Sequence, residues 1–322
     1  MTDEAALDRP ARENSQKLNT ARLRDLSRRR LFPWLTDAVM DWVVIAAGMA
    51  LFGRWPCALT LLLAVLITGN RQHALTVLGH DGTHYTLSGN ARFNDILTNL
   101  LCFLPLGLTV SGYRALHYAH HKHTGTENDP ELGHKRMRSP QWDLPANRWN
   151  ILYYALADLA GGSLPDYLII VRFSKPALKR EYLYLGGFHL LALAGLVAAG
   201  LWWVAFVWYF SLVTSFMMFF RLRLWLEHQG TADTLRVDLS RWQGALLSPH
   251  NAFYHWEHHR YPTIPYHKLP ETRALLGGES ACRLGALIDG FETARAVPSG
   301  TPLKSLQAAR GGEPRTAPAS VS

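Results

Sequence analysis

The chain has 322 residues, and 33 Lys and Arg against 25 Asp and Glu give a net charge of +8. With 48% apolar residues and 11% aromatic, it can bury a core, which excludes disorder as its overall state. Three scattered cysteines, Cys57, Cys102 and Cys282, form no CxxC pair, which excludes a disulfide framework, a zinc ribbon and a redox dithiol.

Taken in chain order, the sequence alternates between two populations that a mean hydropathy of -0.04 averages away. Residues 1–30 read as a flexible basic arm that ends in Arg28-Arg29-Arg30 and lacks the apolar centre of a signal peptide. Apolar runs at about 34–54 and 56–78 follow, and together they predict a first membrane hairpin. The run at 96–110 is too short for a crossing and contains Pro105 and Gly107, so it predicts a re-entrant, half-embedded helix. After a polar stretch at 112–182, the run from Leu185 to Leu226 is charged only at Arg221 and Arg223. A crossing needs roughly 20 apolar residues, so this run predicts two more, at about 185–203 and 204–226. The tail at 296–322 is rich in Ala, Pro, Gly and Ser and reads as disordered.

The fold class predicted is therefore an all-α integral membrane protein of two transmembrane hairpins, capped by a helical domain, over residues 31–295. Lys and Arg crowd the arm, Arg71 and the run Lys135–Arg138; Arg54 alone sits on the opposite side. The positive-inside rule places both termini and the polar cap in the cytoplasm, consistent with a bacterial cytoplasmic membrane.

The 15 histidines outnumber Phe, Tyr or Trp, and nine of them are patterned. His80 and His84 are spaced i, i+4. His117, His120 and His121 form HxxHH, and His255, His258 and His259 repeat it. His228 follows the long apolar run. Residues at i, i+3 and i+4 share one helix face, so each group aims its imidazoles to one side. So many polar rings at a membrane edge would be costly without something to bind. Imidazoles suit Fe, Zn, Cu and Ni, and nine exceed what one tetrahedral zinc can use, which favours two metals. Asp81, Glu127, Asp129 and Glu257 lie within or just after these groups and are candidates to accept the rings' second N–H, with Thr124 and Asn128 beside them. His73, on the stripe of His80, reads as an interhelical contact. His189 reads as a hydrogen-bonded residue within a span. His123 and His250 read as neighbours of the site or surface residues, and His134 and His267 as solvated.

GHDGTH (79–84), LHYAHHKHTGTENDP (116–130), RLRLWLEHQG (221–230) and PHNAFYHWEHHRYPTIP (249–265) resemble the membrane fatty acid desaturase/hydroxylase superfamily over roughly residues 34–275. The resemblance implies a non-haem di-iron centre, O2 as oxidant and an external electron donor of ferredoxin, rubredoxin or cytochrome b5 type with its reductase. It assigns His80, His84, His117, His120, His121, His228, His255, His258 and His259 as ligands. Animal-type acyl-CoA desaturases carry an Asn four residues before the histidine matching His228. Here that position is Leu224, which leaves one iron's coordination open, and Asn251, four before His255, is a substitute polar contact.

The function this implies is an oxygen-dependent oxidoreductase that desaturates a fatty-acyl or lipid alkyl chain. The third box is also similar to carotenoid ketolases and hydroxylases, so a hydroxylase or ketolase is the alternative. A membrane zinc hydrolase or metal-handling protein, and a purely structural membrane protein, are the other classes. Trp225 and Trp256, beside ligands, are candidates to line a substrate channel, and Lys135–Arg138 to dock an acidic donor or anionic lipid. HPGG, HExxH, a P-loop and a strand-borne GxGxxG are absent, and nothing in the sequence points to nucleic acid.

Overall fold

The computed structural model describes residues 17–145, 147–228, 234–277, 283–285 and 287–288. These are helical throughout; among them the one extended pairing is an isolated bridge between Asp238 and Arg283. Residues 1–16 and the tail at 296–322 lie outside the described residues. The second half of the arm is not the flexible chain that was expected. Asn19 caps a short helix, α1 (Thr20–Leu26), whose Leu26 is buried. The backbone N–H of Leu18 donates to the Tyr261 hydroxyl at 3.2 Å, which fastens the arm to the segment after the third histidine box.

Four helices are long and apolar enough to cross a membrane. α2 (Leu31–Arg54) and α3 (Ala58–Thr83) form the first pair. α3 runs five residues beyond the expected end at 78, so it carries the first histidine box on the same rod. α9 spans Lys179–Ala198 and starts six residues earlier than expected, because Glu181 caps its polar first turn by accepting from the Leu178 N–H. The last span, Trp202–Glu227, is broken at Thr214 into α10 (Trp202–Val213) and α11 (Ser215–Glu227). There the Ser211 and Thr214 hydroxyls turn back onto the carbonyls of Val207 and Phe210 and compete with the helix ladder.

α3 is the central rod, and α2, α10 and α11 all pack on it. Gly69 makes the closest approach possible: a Cβ there would collide with the Ser215 side chain and the Phe216 backbone. Ser215 Oγ donates to the Val65 carbonyl at 2.6 Å and Gln72 Nε2 to the Trp208 carbonyl at 3.0 Å. These two bonds pair polar groups between helices inside the spans, as an apolar medium favours. The outer faces are different. No residue of α9 is buried, and Leu191 is 74% exposed, an apolar surface that fits contact with lipid.

The run at 96–110, expected as a re-entrant helix, is bent sharply at its end. α4 (Ala91–Thr98) passes into a π turn (Asn99–Phe103) and a 3-10 turn (Leu104–Leu106), and α5 (Val110–His123) leaves at 89°. Pro105 lacks an N–H, and Gly107 takes a φ of 74°, so the ladder ends there. Asn99 Oδ1 accepts from the Val110 N–H at 2.8 Å and closes the corner. The remaining helices are α6 (Pro130–Met137), α7 (Arg148–Leu159), α8 (Leu164–Phe173), α12 (Arg241–Leu247), α13 (His255–Arg260) and α14 (Leu269–Leu276). Arg221 of α11 binds Asp158 of α7 through two nitrogens, at 2.7 and 3.1 Å, and so ties the span to the polar helices.

Candidate metal centre

Four elements deliver the nine histidines. The end of α3 supplies His80, with His84 as its C-cap; α5 supplies His117, His120 and His121; His228 caps α11; α13 supplies His255, His258 and His259. They divide into two groups whose ligand atoms lie within 4.8 Å of one another: His80, His84, His117, His121 and His258, then His120, His228, His255 and His259. Each HxxHH motif serves both groups, in opposite senses. In α5 the i and i+4 rings join the first group and the i+3 ring the second; in α13 the assignment is reversed. His121 and His259 stack at 4.2 Å between centroids, where the two groups meet.

Within each group the Nε2 atoms face each other. His121 Nε2 lies 2.8 Å from His117 Nε2 and 3.1 Å from His258 Nε2, and His228 Nε2 lies 2.7 Å from His255 Nε2. Burial and neighbouring positive charge push His84 down to about 3. Burial does the same to His228, also to about 3, and holds His255, His258 and His259 well below the usual imidazole range. These rings are neutral at physiological pH, with nitrogen lone pairs converging, which is the state a metal ligand requires. The buried Nε2 atoms of His80 and His120 have no hydrogen-bond partner. An all-imidazole donor set with unpartnered, inward nitrogens fits one metal ion in each group.

Of the acids singled out by spacing, Asp129 meets a ligand candidate. Its Oδ1 accepts from His120 Nδ1 at 2.8 Å, which fixes the ring so that Nε2 points into the group. Thr124 donates to the His120 carbonyl at 2.7 Å and lies 3.4 Å from His259 Nδ1. The other three go elsewhere. Asp81 accepts from the Thr86 hydroxyl at 2.6 Å and the Tyr266 N–H at 3.0 Å, a clamp between the first box and the segment after the third. Glu257, fully buried, neutralises Arg236 and Arg273, because its side of α13 faces away from the rings. Asn251 donates to the Tyr266 carbonyl at 3.3 Å. Glu127 and Asn128 are exposed.

Other expectations are also corrected. Trp256 is covered by Arg236 and Arg260, and Trp225 packs with Val237, Leu239 and Leu287, so each has a structural partner in place of a channel. Within the run Lys135–Arg138, Lys135 is buried on Glu131 and Arg138 reaches Asp166 at 2.7 Å, while Arg136 and Met137 are exposed. His134 is buried beside Asp166, and His267 is partly buried. His73 is fully buried within α3 and belongs to neither group. His189 Nδ1 meets the Tyr209 hydroxyl at 2.7 Å, the interhelical bond expected of it. His250 lies beneath the site, 2.7 Å from Asp41 and 3.4 Å from Asp37. The spacing argument also missed two carboxylates at the rim. Glu131 Oε2 is 3.7 Å from His120 Nε2, and Glu227 Oε2 is 3.7 Å from His255 Nε2. The available signal was a cation one helical turn away from each, Lys135 and Arg223.

Comparison with known proteins agrees with this geometry. The profile of the fatty acid desaturase family matches residues 53–283. A dihydrorhizobitoxine desaturase of Bradyrhizobium elkanii is 31% identical over 274 residues, covering 74% of this chain and 76% of the relative. A beta-carotene ketolase of Paracoccus sp. (strain PC1) is 26% identical over 253 residues, covering 74% of this chain and 90% of the relative. Helices of membrane length, clustered imidazoles and these likenesses lead to one conclusion: the chain belongs to the fatty acid desaturase family and is an oxidoreductase of the membrane desaturase/hydroxylase type.

Proposed function

We propose that this chain is an O2-dependent di-iron enzyme that desaturates the alkyl chain of a fatty-acyl or other lipid substrate. The observation that carries this reading is the convergence of imidazoles into groups of five and four at the ends of membrane-length helices. His80, His84, His117, His121 and His258 would hold one iron, and His120, His228, His255 and His259 the other. Bound there, iron supplies reduction of O2 and removal of hydrogen from an unactivated C–H bond; zinc, without redox chemistry, does not. The chain's own residues hold and orient the donor set. Asp129 keeps the Nδ1 proton of His120, and the Asp81 clamp keeps the first and third boxes in register.

The two helix pairs are read as two hairpins with four crossings. α5–α8 and α12–α14 form a cap on the cytoplasmic side, with both termini there, in a bacterial cytoplasmic membrane. The distribution of Lys and Arg supports that orientation. Two electrons come from an external donor of ferredoxin, rubredoxin or cytochrome b5 type. A second reading, hydroxylation or ketolation of a carotenoid-type substrate, draws on the ketolase matched over 90% of its length.

The test is metal analysis of the purified protein with lipid profiling of cells that carry or lack it. About two irons per chain and a product lighter by two hydrogens support desaturation. A product heavier by one oxygen supports the second reading, and zinc without iron overturns both.

A further inference from the structure

The two histidine groups are unequal. One has five rings and the other four, and Leu224 stands where the resemblance would have supplied a polar side chain. The four-ring group has a carboxylate at its edge. Glu131 Oε2 lies 3.7 Å from His120 Nε2 and 4.0 Å from His228 Nε2. Two ligands about 2.1 Å from one ion are about 3.0 Å apart at right angles and about 4.2 Å apart across it. Both separations fall in that interval.

The side chain is held in this pose from two sides. Its other oxygen, Oε1, accepts from Lys135 Nζ at 2.6 Å, and the Lys135 side chain is only 7% exposed. Its backbone N–H donates at 2.9 Å to Asp129 Oδ1, the same atom that accepts from His120 Nδ1. One carboxylate therefore orients His120 and anchors the residue that faces it. We propose that Glu131 is a tenth protein ligand, which makes the four-histidine group a mixed histidine–carboxylate site, distinct in charge from its all-histidine neighbour. Glu227 is the natural comparator. Its Oε1 is held by Arg223 at 2.6 Å, but its Oε2 approaches a single ring, His255, at 3.7 Å.

The proposal rests on the di-iron reading, and the experiment separates the two. Detergent-purified wild type, Glu131→Gln and Glu227→Gln are loaded with ⁵⁷Fe, counted for iron per chain and examined by Mössbauer spectroscopy. Expected for wild type are about two irons in two distinct environments, and for Glu131→Gln about one, the environment lost being that of the four-histidine site. Glu227→Gln retains both. Should Glu131→Gln not fold, Glu131→Asp keeps the charge but withdraws the oxygen by one methylene, and it is read the same way. Two irons with unchanged spectra in the Glu131 variant overturn the proposal and leave the di-iron reading intact. Equal loss in the Glu131 and Glu227 variants also overturns it, since charge alone would then explain the effect. Wild type without iron overturns both.

Discussion

Removing the Asp129 carboxylate should weaken one metal site and leave the other alone. Its side chain is 5% exposed and makes three hydrogen bonds. Oδ1 accepts from His120 Nδ1 at 2.8 Å and from the Glu131 N–H at 2.9 Å, and Oδ2 accepts from the Gly125 N–H at 3.0 Å. Two functions are combined: the residue caps α6 and orients a ring. Loss of a cap costs about 1 kcal/mol. Loss of a ring-orienting carboxylate lowers metal affinity about 10–100-fold, or about 1.4–2.7 kcal/mol. Asp129→Ala should therefore release about half of the bound metal at a chelator concentration some 10–100-fold below that needed for wild type, and its apo form should unfold more easily. Asp129→Asn separates the functions. Asn caps helices as well as Asp, so apo stability should stay near wild type while the metal still loosens, because a neutral amide is the weaker partner for His120. The assays are chelator competition followed by iron content, and thermal unfolding of the metal-free protein. If Asp129→Ala unfolds more easily but its chelator curve coincides with wild type, Asp129 is only a cap and the ring-orienting argument fails.

Two further outcomes follow from buried charges. Burial opposes the charge on His250, but the Asp37 and Asp41 carboxylates outweigh it and raise the ring above its ordinary value of 6.5. A raised folded-state value means that this stabilisation is complete below 6.5 and is lost as pH rises through the folded value. The thermal midpoint in detergent should decline over that interval, and His250→Gln should flatten the decline; an identical slope in the variant would refute it. Arg221→Met leaves Asp158 charged and 1% exposed, which should cost about 3–5 kcal/mol in unfolding experiments, whereas Arg221→Met with Asp158→Leu should recover most of it. Equal destabilisation in the single and double variants would count against the pair.

Much of the site was legible because its signal is local. An i, i+3, i+4 spacing of histidines on a helix needs no tertiary information to reveal a common face, and an apolar run of membrane length needs none either. What escaped was set by packing. The division of each HxxHH between two groups depends on how α5 and α13 oppose each other. Glu257 sits inside a box, yet the rotation of α13 turns it toward Arg236 and Arg273. Lys135 read as one of a surface run, but it lies on the inward stripe of α6 with Glu131, one turn away. The end of α3 was misjudged because hydropathy falls before the helix does: His80 and Asp81 are polar yet buried, so the rod continues where the apolar run has stopped.

That continuation acts as a ruler. At 26 residues α3 is about 39 Å long, against a hydrocarbon layer of about 30 Å. The excess of about 9 Å equals about six residues, the length of the last turns that carry His80. In the proposed reaction an alkyl carbon would have to reach those turns, and each methylene exposed to water on the way would cost about 0.8 kcal/mol. On the proposed function, a lipid-like reactant would therefore need apolar protein surface along its way to the histidines.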